Sequence, residues 1–245
     1  MAKEKGALRV AREIARHIQE EKLPAGQKYL SEAEAIERYQ VARGTLREAL
    51  RHLQIQGVIE IRPGPKGGHF VADPTADNLA STIALLLQFS DATIESLIEA
   101  RGSIEPGMAA MAASQATEDD IAAMDELLAE MEESLGDYEA YYAVYMDFWD
   151  VLARSTRNAF FVFLSPAMRK ITWTAGIRPN ERQRERALRN LQTVRDAVAK
   201  GNPEKAYQAM QLLERQFLAT MREEYPREIS KIVSWSDFGR RNASN

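Results

Sequence analysis

Apolar residues recurring at helical spacing open the chain. Leu8, Ala11, Ile14, Ala15 and Ile18 have charges between them, which predicts an amphipathic helix. Leu23-Pro24-Ala25-Gly26 breaks it. Ser31 with Glu34 three residues on reads as a capping box, so a short helix is predicted from there to about Tyr39. Gln40-Val41-Ala42 is a tight connection, and a second short helix is predicted over about Arg43 to Gln56. Its Leu46, Leu50 and Leu53 form one stripe, and Gly57 stops it. Val58 to Arg62 reads as a strand, Pro63 to Gly68 as a turn that cannot be helical, and His69-Phe70-Val71 as the returning strand.

The pattern changes after residue 72. Asp73 to Asn78 is a polar stretch with Pro74 and reads as a linker. Leu79–Phe89 is an apolar helix, and Asp91 to about Ser114 another, with a kink predicted at Pro106. Thr117-Glu118-Asp119-Asp120 is an acidic helix start. Further helices are predicted over about 137–155, 158–173, 180–200 and 203–224. Residues 226–245 form a polar tail in which Trp235 and Phe238 mark a small docked segment. The predicted fold class is mainly α. A head of three helices and a β-hairpin spans 1–72, a linker 73–78, an all-helical domain 79–225 and the tail 226–245.

Composition narrows the function classes. The 245 residues are 45% hydrophobic and 28% charged, enough apolar material for a sizeable core. The absence of cysteine removes disulfides, thiolate metal sites and a cysteine nucleophile. No apolar run approaches the roughly 20 residues that span a bilayer. The start, Met-Ala-Lys-Glu-Lys-Gly, lacks the apolar core of a signal peptide. The expectation is a cytoplasmic protein with no membrane partner. The net charge of −4 is unevenly shared: residues 1–72 hold 13 Lys/Arg against 9 Asp/Glu, and the rest hold 19 against 27. All three histidines, His17, His52 and His69, lie in the first part. A basic module joined to an acidic one suggests a polyanion partner for the former.

Two short helices, a tight turn and a hairpin make a winged helix-turn-helix. Its second helix enters the major groove with its first residues at base edges: Arg43, Gly44, Thr45 and Arg47, with Arg51 grouped with them. Arg pairs bidentately with guanine, and Thr meets a phosphate or a thymine methyl. Lys66, Gly67, Gly68 and His69 would bring the wing close to a phosphate backbone. The alternative is a packing domain with a solvated basic face, on which Arg47 and Arg51 are merely exposed.

Several segments together carry a resemblance: Leu23-Pro24-Ala25-Gly26, Leu30-Ser31-Glu32-Ala33-Glu34, Val41 through Leu50, Gly57-Val58-Ile59, and Gly67 through Val71. They resemble the GntR family of bacterial transcription regulators over most of residues 8–72. The resemblance implies that Arg43, Thr45 and Arg47 contact operator DNA and that Gly67 or Gly68 approaches the groove, with His69 beside it. The chain departs from the family in three places. Tyr29-Leu30-Ser31-Glu32-Ala33 lacks the usual proline, Ala33 stands where many members have a DNA-contacting Arg, and Ala42 replaces a usual Ser.

The helical remainder is similar to the FadR subfamily, more loosely, over about residues 79–224. The similarity rests on Ile98-Glu99-Ala100-Arg101 with Glu105-Pro106, on Asp147-Phe148-Trp149 through Asn158, and on Ala197 through Asn202. It implies an antiparallel helical bundle, in most members built around a metal held by an Asp and three His. Those positions fall on Tyr145 and Trp149 and near Leu191 and Leu213. No histidine follows residue 69, so no metal and no cofactor are expected. Tyr, Trp and Leu in place of ligands predict an apolar effector pocket lined by Tyr145, Trp149, Leu191 and Leu213. Arg101 is its best polar anchor, able to grip a carboxylate or phosphate. Alternatively Arg101 pairs with Glu105 four residues on, and Trp149 and Trp173 are core packing.

The reading is a ligand-responsive transcription repressor, a homodimer on palindromic double-stranded DNA, and not an enzyme. Its effector would have an apolar part and an acidic group, with fatty acyl-CoA or a fatty acid as the subfamily analogy. The alternatives are a regulator of small organic acid metabolism and a ligand-free dimeric DNA binder. Candidate dimer surfaces are Leu79 with Ile83 to Leu87, and the cluster Tyr138, Tyr141, Tyr142 and Tyr145.

Overall fold

The computed structural model describes residues 2–64 and 66–238. Pro65, in the predicted turn, and residues 239–245 of the predicted tail lie outside the described residues, as does the Phe238 side chain. The chain divides into two compact units that part between Asn78 and Leu79.

The first unit holds α1 (Ala2–Glu20), α2 (Glu32–Tyr39), α3 (Arg43–Ile55), β1 (Ile59–Arg62) and β2 (Gly68–Val71). The predicted stripe is the core. Val10 and Ile14 of α1 meet Leu46, Ala49, Leu50 and Leu53 of α3, with Ile59 and Val71 beneath. The Ser31–Glu34 capping box forms in both directions and fixes the start of α2. Gln40 takes the left-handed conformation and turns the chain into α3. The hairpin is antiparallel, pairing Ile59 with Val71 and Arg62 with Gly68. Tyr29 N–H also donates to the His69 carbonyl at 2.8 Å, so the chain before α2 runs along the free edge of β2.

The second unit is helical, with α4 (Ala76–Phe89) crossing into it from the first. It continues with α5 (Ile94–Gln115), α6 (Glu118–Glu133), α7 (Tyr138–Ser155), α8 (Ala159–Trp173), α9 (Glu181–Ala199), α10 (Pro203–Glu224), α11 (Pro226–Ile229) and α12 (Trp235–Phe238). α4 starts three residues inside the stretch read as linker; Asn78, in its first turn, bonds back to the Ile55 carbonyl. Thr93, Thr117, Asp137, Asn158, Asn180 and Asn202 each cap the helix that follows with a side-chain oxygen. α5 runs through the buried Pro106 as one helix. It packs most extensively against α10, while α6 packs on α7 and α9. Met108, Met124, Met131, Phe148, Trp149, Leu152 and Leu191 fill the core between them.

The segment after α10 docks as expected for Trp235, whose indole N–H donates to Ser81 Oγ at 2.9 Å. Leu86 and Phe89 of α4 remain 63% and 82% exposed. No helix among the described residues is long and apolar enough to cross a membrane.

Candidate functional site

Two places gather the candidate side chains, one in each unit. In the first, α3 begins at Arg43 after an extended Ala42, so Arg43, Gly44 and Arg47 stand exposed on the first turns, and Arg51 follows on the same helix. Thr45 is half-buried, with Gly6 behind it. Glu32, the first residue of α2, faces these cations. Arg47 Nε donates to Glu32 Oε1 at 2.7 Å and Nη2 to Oε2 at 3.3 Å, and Arg43 Nε lies 4.0 Å from Oε1. The hydrogen bond from Arg47 holds the Glu32 carboxyl below its ordinary value. Burial pushes the His69 imidazole down while nearby Glu32 pulls it up, so the wing's histidine lies close enough to this ion pair to feel it.

Lys66 is exposed at the wing tip, beside half-buried Gly67 and Gly68. A Cβ on Gly67 would sit 2.1 Å from the Arg62 carbonyl oxygen, so the turn admits only glycine there. Arg62 covers the Phe70 ring, its guanidinium carbon 4.2 Å from the centroid.

The second place is a cavity of about 140 Å³ in the helical unit. Arg101, Tyr145, Leu191 and Leu213, the residues predicted to face an effector, line this cavity. Trp149 is not among the lining residues: it is fully buried, and the Arg169 guanidinium stacks on its ring. The tyrosines offered as a dimer surface turn inward instead, because positions 138, 141, 142 and 145 share one face of α7. Tyr142 stacks on Trp173 with centroids 3.4 Å apart, forming an aromatic wall.

The floor of the cavity is ionic. Arg101 from α5 and Arg169 from α8 are 2% and 3% exposed and both line the cavity. Glu105 and Glu214 are buried too but are not among its lining residues. Arg101 Nη2 donates to Glu214 Oε1 at 3.2 Å, and Arg101 Nε lies 3.5 Å from Glu105 Oε1. Arg169 pairs with Glu105, and lies 3.3 Å from Glu214 Oε1 and 3.1 Å from the Tyr145 hydroxyl. The expected Arg101–Glu105 pair is therefore present within a quartet. Nε of each arginine has no hydrogen-bond partner among the described residues.

Burial pushes Glu105 up to about 8, against the opposing pull of Arg169. Burial also works to raise Glu214, but Arg101 and Arg169 outweigh it and hold that carboxyl below its ordinary value. With Glu105 protonated, the quartet carries one net positive charge. Among the described residues, the remaining charged groups at the cavity are Arg184 and Arg186, and no carboxylate lines it. Arg184 is committed to structure, donating to the Pro179 carbonyl at 2.6 Å and the Leu135 carbonyl at 2.9 Å.

These donors do not fit a metal. Two guanidiniums repel a cation, and Leu191, Leu213 and a stacked indole supply no ligand atoms. Asp147, next to the predicted ligand positions, is exposed. No group of three His, Asp or Glu suited to a metal occurs among the described residues. Arg169 is not legible in the sequence as a site residue: Lys170 follows it directly, and the two read as an ordinary basic pair.

Comparison with known proteins places both units. Residues 7–71 match the family described as "Bacterial regulatory proteins, gntR family", and residues 96–215 match the "FCD domain". The chain belongs to the GntR family. It is a DNA-binding transcription regulator of that family, with a helix-turn-helix head and an FCD effector domain. GntR regulators bind DNA and small-molecule effectors, typically as dimers. The "HTH-type transcriptional repressor NanR" of Salmonella typhimurium is 26% identical over 220 residues, which cover 86% of this chain and 82% of the relative. The same protein from Salmonella arizonae gives the same values. A solved GntR structure from Streptococcus agalactiae shares the fold, with a TM-score of 0.72 and 22% identity over 87% of this chain and 99% of that one.

Proposed function

We propose that this GntR regulator is a cytoplasmic repressor that binds a palindromic operator as a homodimer and is controlled by a compact acidic effector. Arg43, Thr45, Arg47 and Arg51 of α3 meet the major groove, and Lys66 to His69 track the adjacent backbone. Similarity to NanR repressors supports the direction of control. The exposed Leu86 and Phe89 of α4 support self-association.

The observation that carries the effector reading is the facing of charge: two buried guanidiniums line the cavity and the carboxylates stand behind them. A carboxylate or phosphate entering the cavity meets Arg101 and Arg169 in low dielectric, where charge-assisted hydrogen bonds are strong. Size supports a compact body. A cavity of about 150 Å³ holds one benzene in an engineered protein, so 140 Å³ suits a ring and not a long acyl chain. Tyr142 and Trp173 offer a flat face to such a ring, and Asn190, Gln216 and Thr220 offer polar contacts.

Thermal-shift and native mass measurements on the full chain with benzoate, gluconate, citrate and oleoyl-CoA test this. A ring-sized acid should raise the melting temperature and release DNA, and Arg101→Gln should abolish both effects. Binding of oleoyl-CoA alone would favour the acyl reading. Binding of none, with no mass retained from the expression host, would favour a ligand-free DNA binder.

A further inference from the structure

We infer that Glu32 is a positioning residue for DNA recognition: it grips the side edge of the Arg47 guanidinium and presents the outer edge to a guanine. The inference rests on the reading that α3 meets base edges. The grip is side-on, because Nε and Nη2 are the two Arg47 atoms bonded to Glu32. An arginine has five N–H donors in a fixed fork. Taking the Nε–Nη2 edge leaves the Nη1–Nη2 end with two parallel donors, which is the pair that matches guanine O6 and N7.

The anchor stands on a capped helix start. Glu32 opens α2, and the reciprocal bonds between Ser31 and Glu34 lock that first turn. Arg47 is otherwise exposed, with 65% of its side chain open to solvent. A free arginine there would lose rotamer entropy on reaching a base; one already held loses less.

Charge adds a second effect. Glu32 lies between Arg47 and Arg43, on the face that meets DNA under this reading. A carboxylate there repels phosphate and weakens non-specific binding, while an arginine pinned for guanine keeps specific binding. Glu32 therefore favours discrimination over raw affinity.

The test uses the full chain and duplexes selected from a random pool by the wild-type protein. Base preference is measured position by position for wild type, Arg47→Ala, Glu32→Gln and Glu32→Ala, with circular dichroism confirming the fold of each. Arg47→Ala should relax one guanine position per half-site. Glu32→Ala should relax that same position about tenfold, keep the others sharp and tighten binding to a scrambled duplex. Glu32→Gln, which keeps size and one acceptor, should fall between. If Arg47→Ala relaxes no position, the α3 reading itself fails. If it relaxes one that both Glu32 variants leave sharp, the α3 reading stands and the Glu32 inference is overturned. A uniform loss at every position in Glu32→Ala also overturns it, since that marks a structural role.

Discussion

Arg101 and Glu214 stand 113 positions apart in sequence and share an ion pair of 3.2 Å in the interior of the helical unit. Deleting one member of a buried pair strands the other's charge. Glu214→Leu should cost about 3–5 kcal/mol of stability, read as a lower urea midpoint. Adding Arg101→Met should recover part of that loss, because it removes one of the two guanidinium charges that Glu214 balances. A double variant whose loss equals the sum of the losses of Glu214→Leu and Arg101→Met alone would show that the two residues are not coupled.

Glu105 gives the stability of this protein a pH dependence. Its folded value of about 8 lies above the ordinary 4.5, so the fold binds the proton more tightly than the unfolded chain does. Its contribution is complete below about 4.5 and is lost as pH rises through about 8. Glu214 runs oppositely, since its depressed value makes its contribution present at neutral pH and lost on acidification. Glu105→Gln removes only the first effect. Between pH 5 and 8 the wild type should lose stability relative to that variant, by at most about 1.4 kcal/mol per pH unit. A constant difference across urea titrations at several pH values would place no proton on Glu105.

Lys66 and Arg47 should separate in salt titrations. Lys66→Ala should weaken all duplexes alike and reduce the slope of log affinity against log salt by about 1. Arg47→Ala should weaken the selected site far more than a scrambled one. Filter binding or fluorescence anisotropy at several salt concentrations reads both.

Gly67→Ala should damage DNA binding while leaving helix content intact. The new methyl meets the Arg62 carbonyl oxygen, which is backbone and cannot swing aside. The hairpin must reshape, and with it the placement of Lys66. Unchanged affinity in this variant would show that the wing tip makes no contact with DNA.

Much of the fold was legible because its signals are local. Ser31 and Glu34, the Leu46-Leu50-Leu53 stripe and Asn202-Pro203 each act within a few residues, and α2, α3 and α10 begin and end close to where those signals point. The start of α4 is not legible, because Ala76-Asp77-Asn78 reads as polar linker, whereas Asn78 is drawn into the helix start by bonds to Thr75 and Ile55. Arg101 and Glu105 sit one helical turn apart, so their pair could be anticipated. Arg169 and Glu214 come from other helices, and no local pattern says which partners a bundle will bring to them. Trp149 stood at a ligand position by resemblance, yet stacking on Arg169 keeps it behind the cavity wall.

The span between Arg101 and Glu214 also bears on how the chain is made. A ribosome adds about 5–20 residues per second, so Arg101 leaves the exit tunnel roughly 10 s before its counter-ion does. During that interval α5 is without the helix it packs against most. Its apolar face, with Ile98 and Met108, is then open to chaperones or to aggregation. The head, whose contacts close within the first 78 residues, can be finished while the other unit is still waiting for α10. Nascent chains truncated before residue 214 should therefore carry a protease-resistant head and a protease-sensitive remainder.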